Sequence, residues 1–115
     1  MGKLTKIDII TRPSKLEPLK DALAAIGVAG LTVSQVYGCG RQKGYSEVYR
    51  GNQYDINLLP KVKVEIVVCE IPAAEVVKVA KTVCRTGQVG DGKIFIYPLA
   101  NAVRIRTGEE GATAI

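Results

Sequence analysis

Histidine is absent from this chain. That removes the usual general base near neutral pH, the Ser-His and Cys-His nucleophile pairs, and the commonest metal ligand. Most hydrolase chemistries are thereby excluded. Cysteine is sparse: Cys39, Cys69 and Cys84 show no C-x-x-C spacing, and an odd number completes no intramolecular disulfide set. Reduced thiols in a cytoplasmic protein are the expectation. The chain has neither a charged start leading into a long apolar run nor an apolar stretch of about 18 residues, so a secretion signal and a membrane span are not expected.

What is present is ordinary for a folded domain. The 115 residues are 47% apolar and 23% charged. A length near the ~100–150 residues of common domains predicts one domain over 1–115, because two cores would each be too thin. Net charge is +5, and Glu109 and Glu110 stand in a tail with no basic residue, so the rest of the chain is more basic still. Such a balance favours anionic partners: phosphates, carboxylates, nucleic acid or the cytoplasmic face of a membrane protein.

Hydrophobic periodicity orders the chain. Leu4 to Ile10 alternates as a strand, and Leu16, Leu19, Leu23 and Ile26 then form a helical stripe closed by Gly27. The helix starts either at a Ser14–Glu17 capping box or with Pro18 as its first residue. Leu31 to Tyr37 reads as a second strand. A long loop follows, about residues 40–57, with glycines, polar residues and Tyr45, Tyr49 and Tyr54 but no sustained period. Loops beyond ~12–15 residues in a small domain are usually functional or disordered. Lys61, Lys63 and Glu65 alternate with Val62, Val64, Ile66 and Val68 in a third strand. Pro72 opens a second helix that Gly87 is expected to close, Ile94 to Tyr97 gives a fourth strand, and Val103 to Arg106 a short fifth. From Gly108 a flexible tail of about 108–115 shows no pattern.

The order β-α-β-β-α-β predicts an α+β, ferredoxin-like sandwich with both helices on one sheet face. The other face, taken to present Ile7, Val62, Val64 and Ile66, has few polar positions for water, so self-association is expected. RNA-binding modules share this order but need stacking aromatics on the sheet. LTKIDII and KVKVEIVV contain none, and no nucleic-acid partner is expected. An amino-acid-binding regulatory domain of ACT type fits the fold equally well, yet leaves the tyrosine-bearing loop and the paired arginines without a role.

Two glycine-rich basic segments carry the candidate chemistry, Gly38-Cys39-Gly40-Arg41-Gln42-Lys43-Gly44 and Gly87-Gln88-Val89-Gly90-Asp91-Gly92-Lys93. Glycines let successive N–H groups converge on an anion while Lys and Arg supply charge. Neither is a P-loop, since no Lys-Ser or Lys-Thr pair follows. Arg104 and Arg106, two apart, would share a face on a strand and grip one polyphosphate. No catalytic set accompanies them, so binding without turnover is the reading.

The stretches GRQKGYSEVYRGNQYDINLLPKVKVEIVV, GDGKIF and VRIRTGEE closely resemble the PII nitrogen-regulatory signal proteins of the GlnB/GlnK type, and the likeness covers nearly the whole chain. The resemblance implies a homotrimer binding ATP or ADP in the clefts between subunits and sensing 2-oxoglutarate together with Mg-ATP. It places Gly38, Gly40, Arg41, Gly90, Asp91, Gly92 and Lys93 on the nucleotide, with Arg104 and Arg106 reaching it from a neighbour. It places Gln42, Lys43, Gly44 and Lys61 on 2-oxoglutarate, with Gln42 also on Mg2+. The long loop would be the family's T-loop, with Tyr54 open to a nucleotidylyltransferase and Arg50 contacting a partner such as an ammonium transporter. The resemblance further implies a cytoplasmic protein, membrane-associated only through such a transporter. Cys39 and Ser14 replace frequent phenylalanines, and Asn52 stands where cyanobacterial relatives carry a phosphorylated serine.

Overall fold

Alternation of apolar residues with Lys6 and Asp8 places Thr5–Thr11 in an extended strand, β1, and the equivalent alternation makes Leu59–Val68 its neighbour β5. The structure is a computed structural model that describes residues 3–39, 47–49, 52–54 and 58–115; for 47–49 and 52–54 it describes backbone pairing alone. The remaining elements are α1 (Leu16–Ala25), β2 (Thr32–Gly38), β3 (Glu47–Tyr49), β4 (Asn52–Tyr54), α2 (Ala73–Cys84) and β6 (Lys93–Pro98). Four strands form one antiparallel sheet in the order β2-β5-β1-β6, with β1 and β5 at its centre. This is the expected ferredoxin-like α+β arrangement.

The register sets Ile7 opposite Ile66 and Ile96, and Ile9 opposite Val64 and Ile94. Because successive side chains alternate, all of these lie on the helix side of the sheet, where Ile96 of the edge strand alone stays largely exposed, at 55%. Leu19 and Leu23 of α1 and Val76 and Ala80 of α2 meet them, each fully buried. At roughly 1.5–3 kcal/mol for each large apolar side chain removed from water, this one layer supplies the main favourable term. The assignment of Ile7, Val62, Val64 and Ile66 to the open face is therefore corrected: parity puts them beneath the helices.

The open face carries charge instead. Lys6 Nζ lies 2.9 Å from Glu65 and 3.4 Å from Asp8 Oδ1, and Lys63 Nζ lies 3.7 Å from Asp8 and 4.0 Å from Glu65. The four charges cancel. Asp8 is only 2% exposed, and its Oδ1 accepts no hydrogen bond despite the neighbouring ammonium. Around this square stand the apolar Ile10, Phe95 and Tyr97 in matching register.

Element ends depart from expectation for local reasons. A 3-10 turn, Pro13–Lys15, leads into α1, no side chain caps it, and the Ser14–Glu17 box does not form. Pro18 lies in the first turn, where a missing N–H breaks no helical bond. At the other end Gly27, at φ 96°, donates to Ala24 O at 3.0 Å and Val28 N to Leu23 O at 3.0 Å, the paired bonds of a glycine-terminated helix. Gly87 does not perform that task for α2, whose chain turns extended at Arg85. The long segment, read as patternless, contains the antiparallel pair β3–β4, with Val48 opposite Gln53. Val103–Arg106 is not a strand. Only Val103 and Glu110 pair there, and Arg104 N donates to Glu109 O at 2.8 Å while Gly108 N donates to Arg104 O at 2.8 Å. Gly111–Ala114 then forms a 3-10 turn where no pattern was expected. Among the described residues no helix is long and apolar enough to cross a membrane.

Candidate anion-binding site

Where β1 ends and β6 begins, the segment 86–93 folds around one carboxylate. Asp91 accepts backbone N–H bonds from Thr86 at 2.8 Å and Gly87 at 2.9 Å, a bond from the Thr86 hydroxyl, and one from Arg12 Nε at 3.3 Å. The Thr86 hydroxyl is the main reason this carboxyl is held well below the usual carboxylate range; the two backbone donors and Arg12 add to it. Thr11 Oγ1 donates to the Asp91 carbonyl at 3.3 Å and Arg12 Nη2 to Val89 O at 2.9 Å, tying the loop to the end of β1. Asp91 thus shapes the loop from within, its carboxylate taken up by groups of the chain itself.

Gly90 and Gly92 adopt φ 100° and 109°, the left-handed region that favours glycine. At Gly92 the need is also steric, since a Cβ would lie 1.8 Å from Ile10 O. The loop backbone can approach β1 only because that side chain is missing. At Gly90 the Cβ direction points at two cations, Arg12 Nη2 at 3.3 Å and Lys61 Nζ at 3.4 Å.

Lys61 donates to the Gly90 carbonyl. Burial, and next the neighbouring Arg12 charge, pull its pKa below the ordinary lysine value, with Asp91 opposing weakly. A cation held so close to another cation and away from water is stabilised by any anion that arrives. Gly38, at the end of β2, adjoins the same side chain: a Cβ there would meet Lys61 Cγ at 3.3 Å. Lys93 opens β6 opposite Ile10, at the mouth of the loop.

The structure therefore brings together Gly38, Lys61, Gly90, Asp91, Gly92 and Lys93. It does not bring Arg104 and Arg106 to them. The chain leaves β6 with Leu99 N bonded to Leu4 O at 3.0 Å, at the far end of the sheet, and Ala112 and Ile115 adjoin Lys6 and the 27–32 segment there. A strand of this length separates the arginines from the glycine loop by about 15–20 Å. Gly40, Arg41, Gln42, Lys43, Gly44 and Arg50 lie outside the described residues. Tyr54 is known as a β4 residue whose backbone faces Glu47. Sequence reasoning missed Arg12, Thr11 and Thr86. Their signal was position, since Arg12 closes a strand just before a proline and Thr86 stands five residues ahead of the only acid in the glycine loop.

Comparison with known proteins gives this geometry its context. The family model described as nitrogen regulatory protein P-II matches residues 4–109. The nitrogen regulatory PII-like protein of Bacillus subtilis (strain 168) is 48% identical over 114 residues, covering 99% of this chain and 98% of the relative. The nitrogen regulatory protein P-II 1 of Escherichia coli (strain K12) is 48% identical over 112 residues, covering 97% of this chain and all of the relative. Among solved structures, the B. subtilis GlnK–ATP complex superposes with TM-score 0.84 at 43% identity over the whole of both chains. Arabidopsis thaliana PII bound to citrate superposes with TM-score 0.80 at 36% identity, covering 99% of this chain and 94% of that one. The chain belongs to the P-II family of nitrogen regulatory proteins.

Proposed function

We propose that this chain is a non-catalytic signal-transduction protein, cytoplasmic and homotrimeric, in which adenine nucleotide and 2-oxoglutarate together set the state of the 40–57 loop. ATP or ADP places its phosphates on the Gly90–Lys93 loop, and Arg104 and Arg106 come from the adjoining copy. 2-Oxoglutarate lies beside Lys61, with Gln42, Lys43 and Gly44 completing its pocket. The described residues contain no cluster of acidic ligands that would hold a metal alone. A Mg2+ ion would instead draw on the Gln42 side-chain oxygen, the phosphates and the 2-oxoglutarate oxygens, a hard-oxygen set suited to it. Ligand then biases the loop base, and the loop reports through Arg50, and through Tyr54 where a nucleotidylyltransferase acts, to an ammonium transporter or a nitrogen-assimilation enzyme.

The observation that carries this reading is the paired cations Lys61 and Arg12 over Gly90, with Lys61 bonded to the loop assigned to phosphate. An ACT-type amino-acid domain is not favoured, because the family match runs through the long loop and the paired arginines, 4–109. Calorimetry tests the sensing. Lys61→Ala should weaken 2-oxoglutarate, titrated with Mg-ATP present, by ~10- to 100-fold, the worth of one charge-assisted bond. Unchanged 2-oxoglutarate heat in that variant removes Lys61 from the site. The sign of the pH response follows from its lowered pKa. Lys61 loses its proton at lower pH than an ordinary lysine at 10.5, so 2-oxoglutarate affinity should decline earlier in an alkaline titration than free lysine chemistry predicts.

Assembly rests on the open sheet face. A neutral square of Lys6, Asp8, Lys63 and Glu65, ringed by Ile10, Phe95 and Tyr97, can be covered by another copy without stranding net charge. Lys63→Glu would set a third carboxylate beside Asp8 and Glu65. Sedimentation equilibrium should then show association weakened by about tenfold or more, since opposed like charges cost several kcal/mol at an interface. A variant that assembles as the parent does would show that this face is not the contact.

A further inference from the structure

α2 packs on β1, and the residues that it turns toward the edge strand β6 are small. Ala80 and Cys84, one helical turn apart, face Ile9 and Ile94 and do not fill the space between helix and strand. An open cavity of about 350 Å³ remains there, with Val77 completing its apolar wall.

This cavity stands behind the glycine loop, away from the face assigned to phosphate. Strand parity sends Lys61 and Lys93 to the open face of the sheet with Lys63 and Ile10, whereas Ile9, Thr11 and Ile94 point to the helix side. The two faces of the loop therefore serve different spaces.

The mouth of the cavity is cationic. Lys81 and Arg85 of α2 and its C-terminal end border it, and the same two residues border an adjoining hollow of about 410 Å³ lined by Thr82 and Thr86. Both cations are exposed, and among the described residues neither is ion-paired. Asp91, the one acid among the residues lining the cavity, is taken up by Thr86, Gly87 and Arg12. A helix C-terminus carries about half a negative charge, which two full positive charges exceed. One pair of cations thus separates an apolar chamber from a polar one.

We propose that this cavity binds a medium-chain monocarboxylate, with its alkyl chain between α2 and β6 and its carboxylate on Lys81 and Arg85. The volume stands at the lower end of the roughly 300–1,000 Å³ found for small-molecule sites, which suits a single short chain. Apolar surface removed from water supplies the attraction, and the guanidinium fork orients the head. A dicarboxylate does not suit the site, because its second charge would be buried against Val77 and Ile94 with no partner. The proposal is independent of the nucleotide reading, which uses the other face of the loop.

Octanoate is the probe, titrated by calorimetry into the full chain without nucleotide and below its micellar range. Binding should tighten about three- to fourfold per methylene from butyrate through hexanoate to octanoate. Isotope-filtered NMR should show contacts from the terminal methyl group of octanoate to the Val77 and Ile94 methyl groups. Val77 is only half-buried, so Val77→Phe fills the space from its rim and should abolish binding. Lys81→Ala/Arg85→Ala, changed at exposed positions, should weaken octanoate by ~10- to 100-fold, while Lys20→Ala on α1 should bind as the parent does. Absence of octanoate heat, an affinity indifferent to chain length, an equal loss in Lys20→Ala, or methyl contacts to Val28 and Ile71 at the other end of the sheet each overturns the proposal. The NMR contacts are read on the unaltered chain, so they decide the matter even where a variant fails to fold.

Discussion

Gly92→Ala is expected to be the most damaging single change in the chain. The new methyl group would sit 1.8 Å from Ile10 O, a backbone atom of the central strand that cannot swing aside, and φ 109° adds a conformation that alanine avoids. Relief requires the loop to lift from β1, which pulls Thr11 away from the Asp91 carbonyl and Arg12 away from Val89. Strain of this kind belongs with the rare losses above ~4 kcal/mol. For a domain near this size each kcal/mol moves the melting temperature by roughly 4–8 °C, so calorimetry should show a fall of more than about 10 °C. ATP affinity should drop with it. Gly87→Ala is the control: it shares the positive φ, at 86°, but a Cβ there meets nothing within 4 Å. Its cost is then the conformational one alone, about 1–2 kcal/mol. Equal melting temperatures for the two variants would show that the loop does not rest on β1 in solution.

The contrast between these glycines also shows what the sequence made legible. Strict alternation in KVKVEIVV and in LTKIDII marked two strands that the sheet places side by side at its centre, because a half-buried strand must alternate to satisfy two different faces. The helical stripe of α1 and its glycine terminus were equally plain, since a 3.6-residue period and a C-terminal glycine are local properties. Which face of the sheet the apolar set occupies is not local. It depends on where α1 and α2 cross, and so Ile7 and Val64 were expected in the open when they lie beneath helices. The segment after β6 misled for a related reason. Val103, Arg104, Ile105 and Arg106 alternate like a strand, yet they do not add to the edge strand β6, and the backbone satisfies itself through Glu109, Gly108 and Gly111. The β3–β4 pair lies in a stretch of sequence without sustained hydrophobic alternation, so no period announced it; Gly51 between its halves was the sign of a turn that the sequence offered. For the site, glycine content and basic charge marked the segment 87–93, which the fold does bend at Gly90 and Gly92, but composition cannot say which atoms a carboxylate will accept. That left Thr86 and Arg12 unseen, and with them the Asp91 carboxylate turned into its own loop.

The turned carboxylate leads to the second large effect. Asp91→Ala should weaken ATP binding by ~10- to 100-fold, the scale expected when supporting groups let a binding backbone shift by about 1 Å. Three pieces of loop lose their common acceptor at once: the Thr86 N–H, the Gly87 N–H and the Thr86 hydroxyl. Arg12 Nε is released as well, which leaves the second cation beside Lys61 held by its bond to Val89 O alone. If Asp91 served by touching phosphate, removing its negative charge would instead improve binding, so the direction of the change separates the two roles. Thr86 provides a companion test, because Thr86→Ser keeps the hydroxyl and should bind nearly as the parent does, whereas Thr86→Val should follow Asp91→Ala. The pH response has a definite sign. Asp91 titrates lower in the folded chain than its ordinary 3.8, so its stabilisation is complete above that value and is lost as pH falls through the depressed one. Amide exchange at Thr86 and Gly87 should therefore stay protected down to about pH 4. Exposure of these two amides at pH 5 to 6, with the sheet still intact, would show that the knot does not hold the loop.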